Sequence, residues 1–166
     1  EAALRLHADV VVLLDADGQH DPADIAALIQ PIKAGEADVA IGSRFLKVRS
    51  AKCEVRSDGL KCKVPITRKI ANRIGNIVTA MLFGMHVTDS QSGFRAFSRT
   101  AAERIKIRTN TMEVSSEIIR EVKLQNLRLM EIPIKAIYTD YSLSKGQGFW
   151  KGMETLWKLV ALRFFR

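Results

Sequence analysis

No run of about eighteen consecutive apolar residues occurs in the 166-residue chain, which excludes a transmembrane helix within it. No signal-peptide pattern opens the sequence. Internal repeats and low-complexity tracts are missing, so repeat architectures are excluded as well. Cysteine is scarce. Cys53 and Cys62 are the only two, and they flank Ser57-Asp58-Gly59, where Asp-Gly suggests a hairpin turn. Two cysteines without a close histidine make at most half a zinc site, and they read as free thiols in a reducing compartment. An initiator methionine is also lacking. Glu1 to Ala8 read as the tail of an amphipathic helix already under way, and Phe164-Phe165-Arg166 stop inside a helical pattern, so the chain is expected to be a piece of a longer one.

What is present is one domain's worth of chain, with 47% apolar and 27% charged residues, ordinary for a globular protein. The net charge of +8 and the pI of 9.8 are not ordinary and point to an anionic partner. Nucleic acid is not expected to be that partner. No nucleic-acid motif appears, and the Lys and Arg residues gather around acidic motifs.

Periodicity predicts strand 9–15, helix 22–34, strand 37–42, a basic loop to about 65 and a helix over 67–83. A turn over 84–92 follows, then strand 93–98, a short helix 99–105, helix 113–125 and strand 128–136. A second loop, 138–147, precedes a final helix from about 149. Alternating helices and strands predict an α/β class with a mostly parallel sheet. In helix 67–83 the apolar positions Ile70, Ile74, Ile77, Val78, Met81 and Leu82 keep a helical period. Arg68, Asn72, Arg73 and Asn76 line the other face, either solvated or turned toward phosphate. The last helix combines Phe149, Trp150, Trp157 and Phe164 with Lys151, Lys158 and Arg163. It fits a membrane interface or a core-docked helix equally well.

The most informative stretch is VVVLLDADGQHDP at 10–22. Five apolar residues read as a strand buried on both faces, and they run straight into Asp15 and Asp17. Asp21 and Pro22 are an N-cap and a first helical residue. Two carboxylates thus stand at a strand's carboxyl end, where open α/β sheets place ligands. With the Gln19 amide oxygen they form an all-oxygen set suited to Mg²⁺ or Mn²⁺, which would neutralise a diphosphate leaving group. Gly42-Ser43-Arg44 ends the next strand, with Arg44 offering a bidentate fork. Asp89 lies in the small-residue turn TDSQSGFR at 88–95, as a turn residue or an active-site acid. Lys145 sits in the glycine-bounded loop YSLSKGQG, as part of a plain linker or of a flap over phosphate.

As an ordered set, DADGQHDP (15–22), GSRF (42–45), TRKIANRIGN (67–76), TDSQSGFRAF (88–97), EIPI (131–134) and YSLSKGQ (141–147) resemble the family 2 glycosyltransferases. Within that family they are similar to the polyprenyl-phosphate group typified by dolichol-phosphate mannosyltransferase. The resemblance implies a GT-A (nucleotide-diphospho-sugar transferase) fold, incomplete at the N-terminus because the family's opening VVIPAYNE-like strand has no counterpart. The chain is expected to divide into 1–148, the C-terminal part of the catalytic domain, and 149–166, an amphipathic helix of either the membrane-interfacial or the core-docked kind. The resemblance implies inverting transfer from a nucleotide-diphospho-sugar to a dolichyl or undecaprenyl phosphate at the cytoplasmic face of a membrane. A family 2 enzyme with a polysaccharide or other non-lipid acceptor is the alternative. The roles it implies are metal binding for Asp15, Asp17 and Gln19, and an active-site acid in Asp89 beside Asp17. Arg44, Arg68, Arg73, Arg95 and Lys145 become phosphate contacts. The basic two-cysteine insert at 48–64 departs from the family pattern in its length.

Overall fold

A computed structural model describes residues 2–46, 66–108, 114–135 and 137. Cys53, Cys62, Lys145, the basic insert and the expected helix from 149 lie outside these residues.

The elements follow the hydrophobic periods closely. They are α1 (Ala2–Arg5), β1 (Val10–Leu13), α2 (Ile25–Lys33), β2 (Val39–Ser43), α3 (Ile66–Phe83), β3 (Arg95–Ser98), α4 (Arg99–Arg104), α5 (Val114–Leu124) and β4 (Leu129–Pro133). The expected cap before α2 is present, one step removed. Asp21 accepts from the Ala23 N–H at 3.0 Å, but it starts a 3₁₀ turn, Pro22–Asp24, from which α2 continues. Ser98 caps α4 by accepting from the Ala101 N–H at 3.1 Å.

The sheet order is β1-β3-β2-β4. β2 and β4 pair in parallel, with Val39 opposite Leu129 and Ser43 opposite Pro133. β3 is antiparallel to both β1 and β2. Strands β1, β2 and β4 therefore point one way, as expected of a mostly parallel sheet, but β3 is inserted against them and the sheet is mixed. Successive residues of a strand face opposite sides. Accordingly Ala40, Ala96 and Phe94 pack with Leu28 of α2 on one face, while Val39, Ile41 and Phe97 meet Ala101, Ile118, Ile119 and Val122 of α4 and α5 on the other. The result is a helix–sheet–helix sandwich.

β1 departs from expectation. Val10, Val11 and Val12 are half-buried, and Leu13 and Leu14 are 44% and 38% exposed. Among the described strands β1 stands at the end of the sheet, bonded along one edge to β3, and its side chains are only partly covered.

Asp38 ties the start of β2 to the start of β4, accepting from the Arg128 main-chain N–H at 2.8 Å and from its guanidinium at 2.9 and 3.0 Å. Those hydrogen bonds from Arg128 hold the Asp38 carboxyl below its ordinary value. The stability they bring is present above about pH 4 and is lost as the pH falls through the lowered value. Asp38→Asn is expected to lower the urea midpoint near pH 7 and to leave it unchanged near pH 2. Equal losses at both would show that the carboxylate's charge is irrelevant.

Candidate active site

Three chain segments meet where β1 and β2 end. The first is the turn after β1. Asp15 and Asp17 are exposed, and Gln19 is half-buried. Asp17 accepts from the Gln19 main-chain N–H at 3.0 Å and from its side-chain amide at 2.6 Å, so these two side chains are already grouped. The Asp15 carboxylate lies directly over Gly93, where an added Cβ would overlap its carboxyl atoms. His20 is buried, with its ring 5.3 Å from that of Phe94 and its Nε2 4.0 Å from Asp15. Burial first, and the Arg44 charge second, push its imidazole below the ordinary histidine value despite Asp15, Asp17 and Asp89, so it is neutral near pH 7. Gly93 and Phe94 are thus the floor on which the acidic turn rests. Gly93→Ala is expected to dislodge Asp15 and cost about 10²-fold in turnover, in line with small misplacements in active sites. Unfolding temperature should barely move; wild-type turnover would remove Gly93 from the site.

The second segment is the end of β2. Gly42 leaves room for Ile134 and Phe94, whose side chains would press on a Cβ at 2.9 and 3.2 Å. Its close approach is therefore to the core rather than to a ligand. Arg44 follows and meets the third segment, the turn carrying Asp89. Arg44 Nε and Nη2 donate to the two Asp89 oxygens at 2.7 and 2.8 Å, and the Arg44 main-chain N–H adds a third bond at 3.1 Å. The Asp89 side chain is fully buried and that of Arg44 is 16% exposed. Arg44 and Asp89, each expected at the site but not with one another, are thus joined in one bidentate contact, so the fork expected for a phosphate is engaged by Asp89, at a strand end and within electrostatic reach of His20.

The turn itself is held from every side. Glu131 of β4 accepts from the Thr88 N–H at 2.9 Å, the Thr88 hydroxyl at 2.9 Å and the Asp89 N–H at 3.1 Å. Asn76 of α3 donates to the Thr88 carbonyl at 2.6 Å and accepts from the Ser90 N–H at 2.9 Å. Ser43 Oγ lies 2.6 Å from Thr88 Oγ1. Arg95 donates to the carbonyls of Ser92, Ser90 and Ser115 at 2.7, 2.8 and 3.1 Å.

Arg95 therefore corrects its expected role. At 2% exposure, with its donors on three carbonyls, it braces the Asp89 turn from inside and is not presented to a phosphate. Burial lowers it to about 10, so it is still charged at neutral pH. Arg68 lies on α3, and Arg73 is exposed on the same helix, one turn before Asn76. Glu131 and Ser43 stand in the EIPI and GSRF motifs and Asn76 on the polar face of α3, but none of the three was expected to hold the Asp89 turn. The available signal was a lone acid inside the apolar strand Leu129–Pro133 and an asparagine on the polar face of α3.

Among the described residues no three His, Cys, Asp or Glu side chains cluster around one point. Asp15, Asp17 and Gln19 carry oxygens of the kind a hard divalent cation takes, although as placed Gln19 turns its side-chain NH₂, not its oxygen, toward Asp17. Among the described residues no helix is long and apolar enough to cross a membrane.

Residues 1–106 match the family model described as Glycosyl transferase family 2. The chain belongs to this family. Membership implies the GT-A fold, in agreement with the mixed sheet and flanking helices. Over 99% of its length the chain is 38% identical to an uncharacterised protein of Methanocaldococcus jannaschii, covering 65% of that protein. Over 97% it is 37% identical to the UDP-N-acetylglucosamine–dolichyl-phosphate N-acetylglucosaminyltransferase of Methanococcus voltae, covering 61% of it. It is also 31% identical, over 75% of its length and 32% of the relative's, to the dolichol-phosphate mannosyltransferase of Pyrococcus furiosus. The chain thus spans 61–65% of the length of the first two relatives.

Proposed function

We propose that this chain carries the transfer centre of an inverting glycosyltransferase. It moves a sugar from a nucleotide-diphospho-sugar to a polyprenyl phosphate, dolichyl or undecaprenyl, at the cytoplasmic face of a membrane. The observation that carries this reading is the buried, bidentate Arg44–Asp89 pair beside the acidic turn of Asp15 and Asp17. Two relatives named for dolichyl- or dolichol-phosphate acceptors support the acceptor class.

The acceptor is a phosphate monoester, already anionic near pH 7, so its attack on the anomeric carbon needs little help from a base. The new bond joins a phosphate oxygen to that carbon, and the bond to the nucleoside diphosphate breaks on the opposite side. With both oxygens on Arg44, Asp89 orients that guanidinium and does not take a proton. The main obstacle is repulsion between two phosphorylated substrates. Arg44, with Arg68, Arg73 and Lys145, offsets it electrostatically. When bound, a divalent ion held by Asp15, Asp17 and the Gln19 amide oxygen, Mg²⁺ or Mn²⁺, supplies charge neutralisation of the leaving diphosphate.

Asp17→Asn tests the reading. Membranes carrying the complete gene product are incubated with radiolabelled nucleotide sugars and polyprenyl phosphate, with and without EDTA. Label entering the organic phase should depend on metal and fall at least about 10²-fold in the variant. Full activity in the variant or in EDTA would overturn the metal assignment. A polysaccharide or other non-lipid acceptor would leave Arg68 idle, so Arg68→Ala should impair lipid-phosphate transfer here and would be silent there.

A further inference from the structure

We infer that Glu131 is a positioning residue for transfer: its carboxylate anchors the backbone bearing Asp89 and, through Asp89, aims Arg44. This rests on the placing of Asp89 and Arg44 in the site.

Three donors converge on Glu131, namely the Thr88 N–H, the Thr88 hydroxyl and the Asp89 N–H. An ionised carboxylate is an acceptor only, with room for about four bonds, and it suits this set. An amide in its place turns an N–H₂ against one of the donors. The carboxylate also settles the direction of a hydroxyl chain. Because Thr88 Oγ1 donates to Glu131, it must accept in its contact with Ser43 Oγ at 2.6 Å. Ser43 Oγ in turn accepts from the Phe45 and Leu46 N–H groups, both at 3.3 Å. Glu131 therefore terminates a one-way chain that begins in the residues just after Arg44. One carboxylate fixes the segments on both sides of the Arg44–Asp89 contact.

Strand pairing does not need this side chain. The β2–β4 ladder runs unbroken from Val39–Leu129 to Ser43–Pro133, with Glu131 opposite Ile41. The bonds of Glu131 leave the sheet for a turn 42 and 43 residues earlier. Asn76 grips the same turn from α3, so the turn keeps a second anchor when Glu131 is altered.

The test is Glu131→Gln in the complete gene product, alone and combined with Asp89→Asn. Donor consumption and lipid-phase label are counted together, so an absence of lipid label in the wild type would overturn the acceptor reading and leave the Glu131 comparison intact. The single variant should lower kcat about 10- to 100-fold with the donor KM within about threefold, as loss of an orienting contact does. Amide exchange should accelerate at Thr88 and Asp89. In the Asp89→Asn background, Glu131→Gln should add less than about threefold, because the two act as one unit. Multiplying losses, or an unchanged kcat, would overturn the proposal. Should Glu131→Gln fail to fold, Thr88→Val replaces it. It cuts the hydroxyl chain, keeps both N–H bonds, and should produce a smaller loss of the same non-additive kind; additivity there would also overturn the proposal.

Discussion

Replacing Asp89 by alanine is expected to abolish transfer and to destabilise the domain by about 3–5 kcal/mol, the usual consequence of removing one partner from a buried ion pair. Asp89 is fully buried, and three donors of Arg44, two side-chain and one main-chain, end on its oxygens. Alanine removes the acceptor of those three bonds and the buried carboxylate that faces the Arg44 guanidinium. Asp89→Asn separates the two consequences. It keeps the shape and one acceptor oxygen, so the fold should survive, while the bidentate fork is lost and turnover should fall at least about 10²-fold. Arg44→Lys should resemble it, because an ammonium keeps the charge but cannot match two carboxylate oxygens in one plane. Thermal unfolding and kcat/KM measured on the three variants decide this. An active Asp89→Asn enzyme would reduce Asp89 to a turn residue.

The second large effect belongs to Arg95, and it should fall on stability. Arg95→Met keeps much of the side-chain volume but abandons the carbonyls of Ser90, Ser92 and Ser115. Unsatisfied buried acceptors cost about 1–3 kcal/mol each. Part of that relaxes, and a net loss of about 3 kcal/mol lowers the unfolding temperature by roughly 6–12 °C in a domain of this size. Turnover should fall as a consequence, since Ser90 adjoins Asp89 and the turn would loosen. A direct phosphate contact would behave in the opposite way, with a raised substrate KM and an unaltered unfolding temperature. A scan of unfolding temperature and KM for Arg95→Met distinguishes the two roles.

The order of elements was legible because each carries its own period. A short apolar run marks β2, which is buried on both faces with Val39 and Ile41 toward α5 and Ala40 toward α2, and the 3.6-residue spacing marks α3. Asp21-Pro22 marked a helix start through local cap chemistry. What stayed hidden is non-local. No local pattern states that β3 runs antiparallel between β1 and β2, or that β1 meets a partner on only one edge among the described residues. The same limit governed the site. The Asp-x-Asp and Gly-Ser-Arg motifs announced themselves at strand ends, but an arginine's burial depends on what folds over it. Arg95 had one local warning, its place beside Phe94, Ala96 and Phe97 in an apolar strand. Glu131 had the converse, an acid where the strand pattern asks for an apolar residue. Its purpose became visible only when β4 stood beside β2 and the Thr88–Asp89 turn came within 3.1 Å.

The most direct measurement concerns the nucleophile. Membranes carrying the complete gene product are given a panel of labelled UDP- and GDP-sugars with a divalent ion, in parallel reactions containing polyprenyl phosphate or the matching free polyprenol. If the Arg44–Asp89 centre serves an acceptor that arrives already anionic, label enters the organic phase with the phosphate and not with the alcohol, and the active donor names the sugar. Equal labelling of the free alcohol, or metal-dependent donor consumption with label only in the aqueous phase, would contradict a polyprenyl-phosphate acceptor.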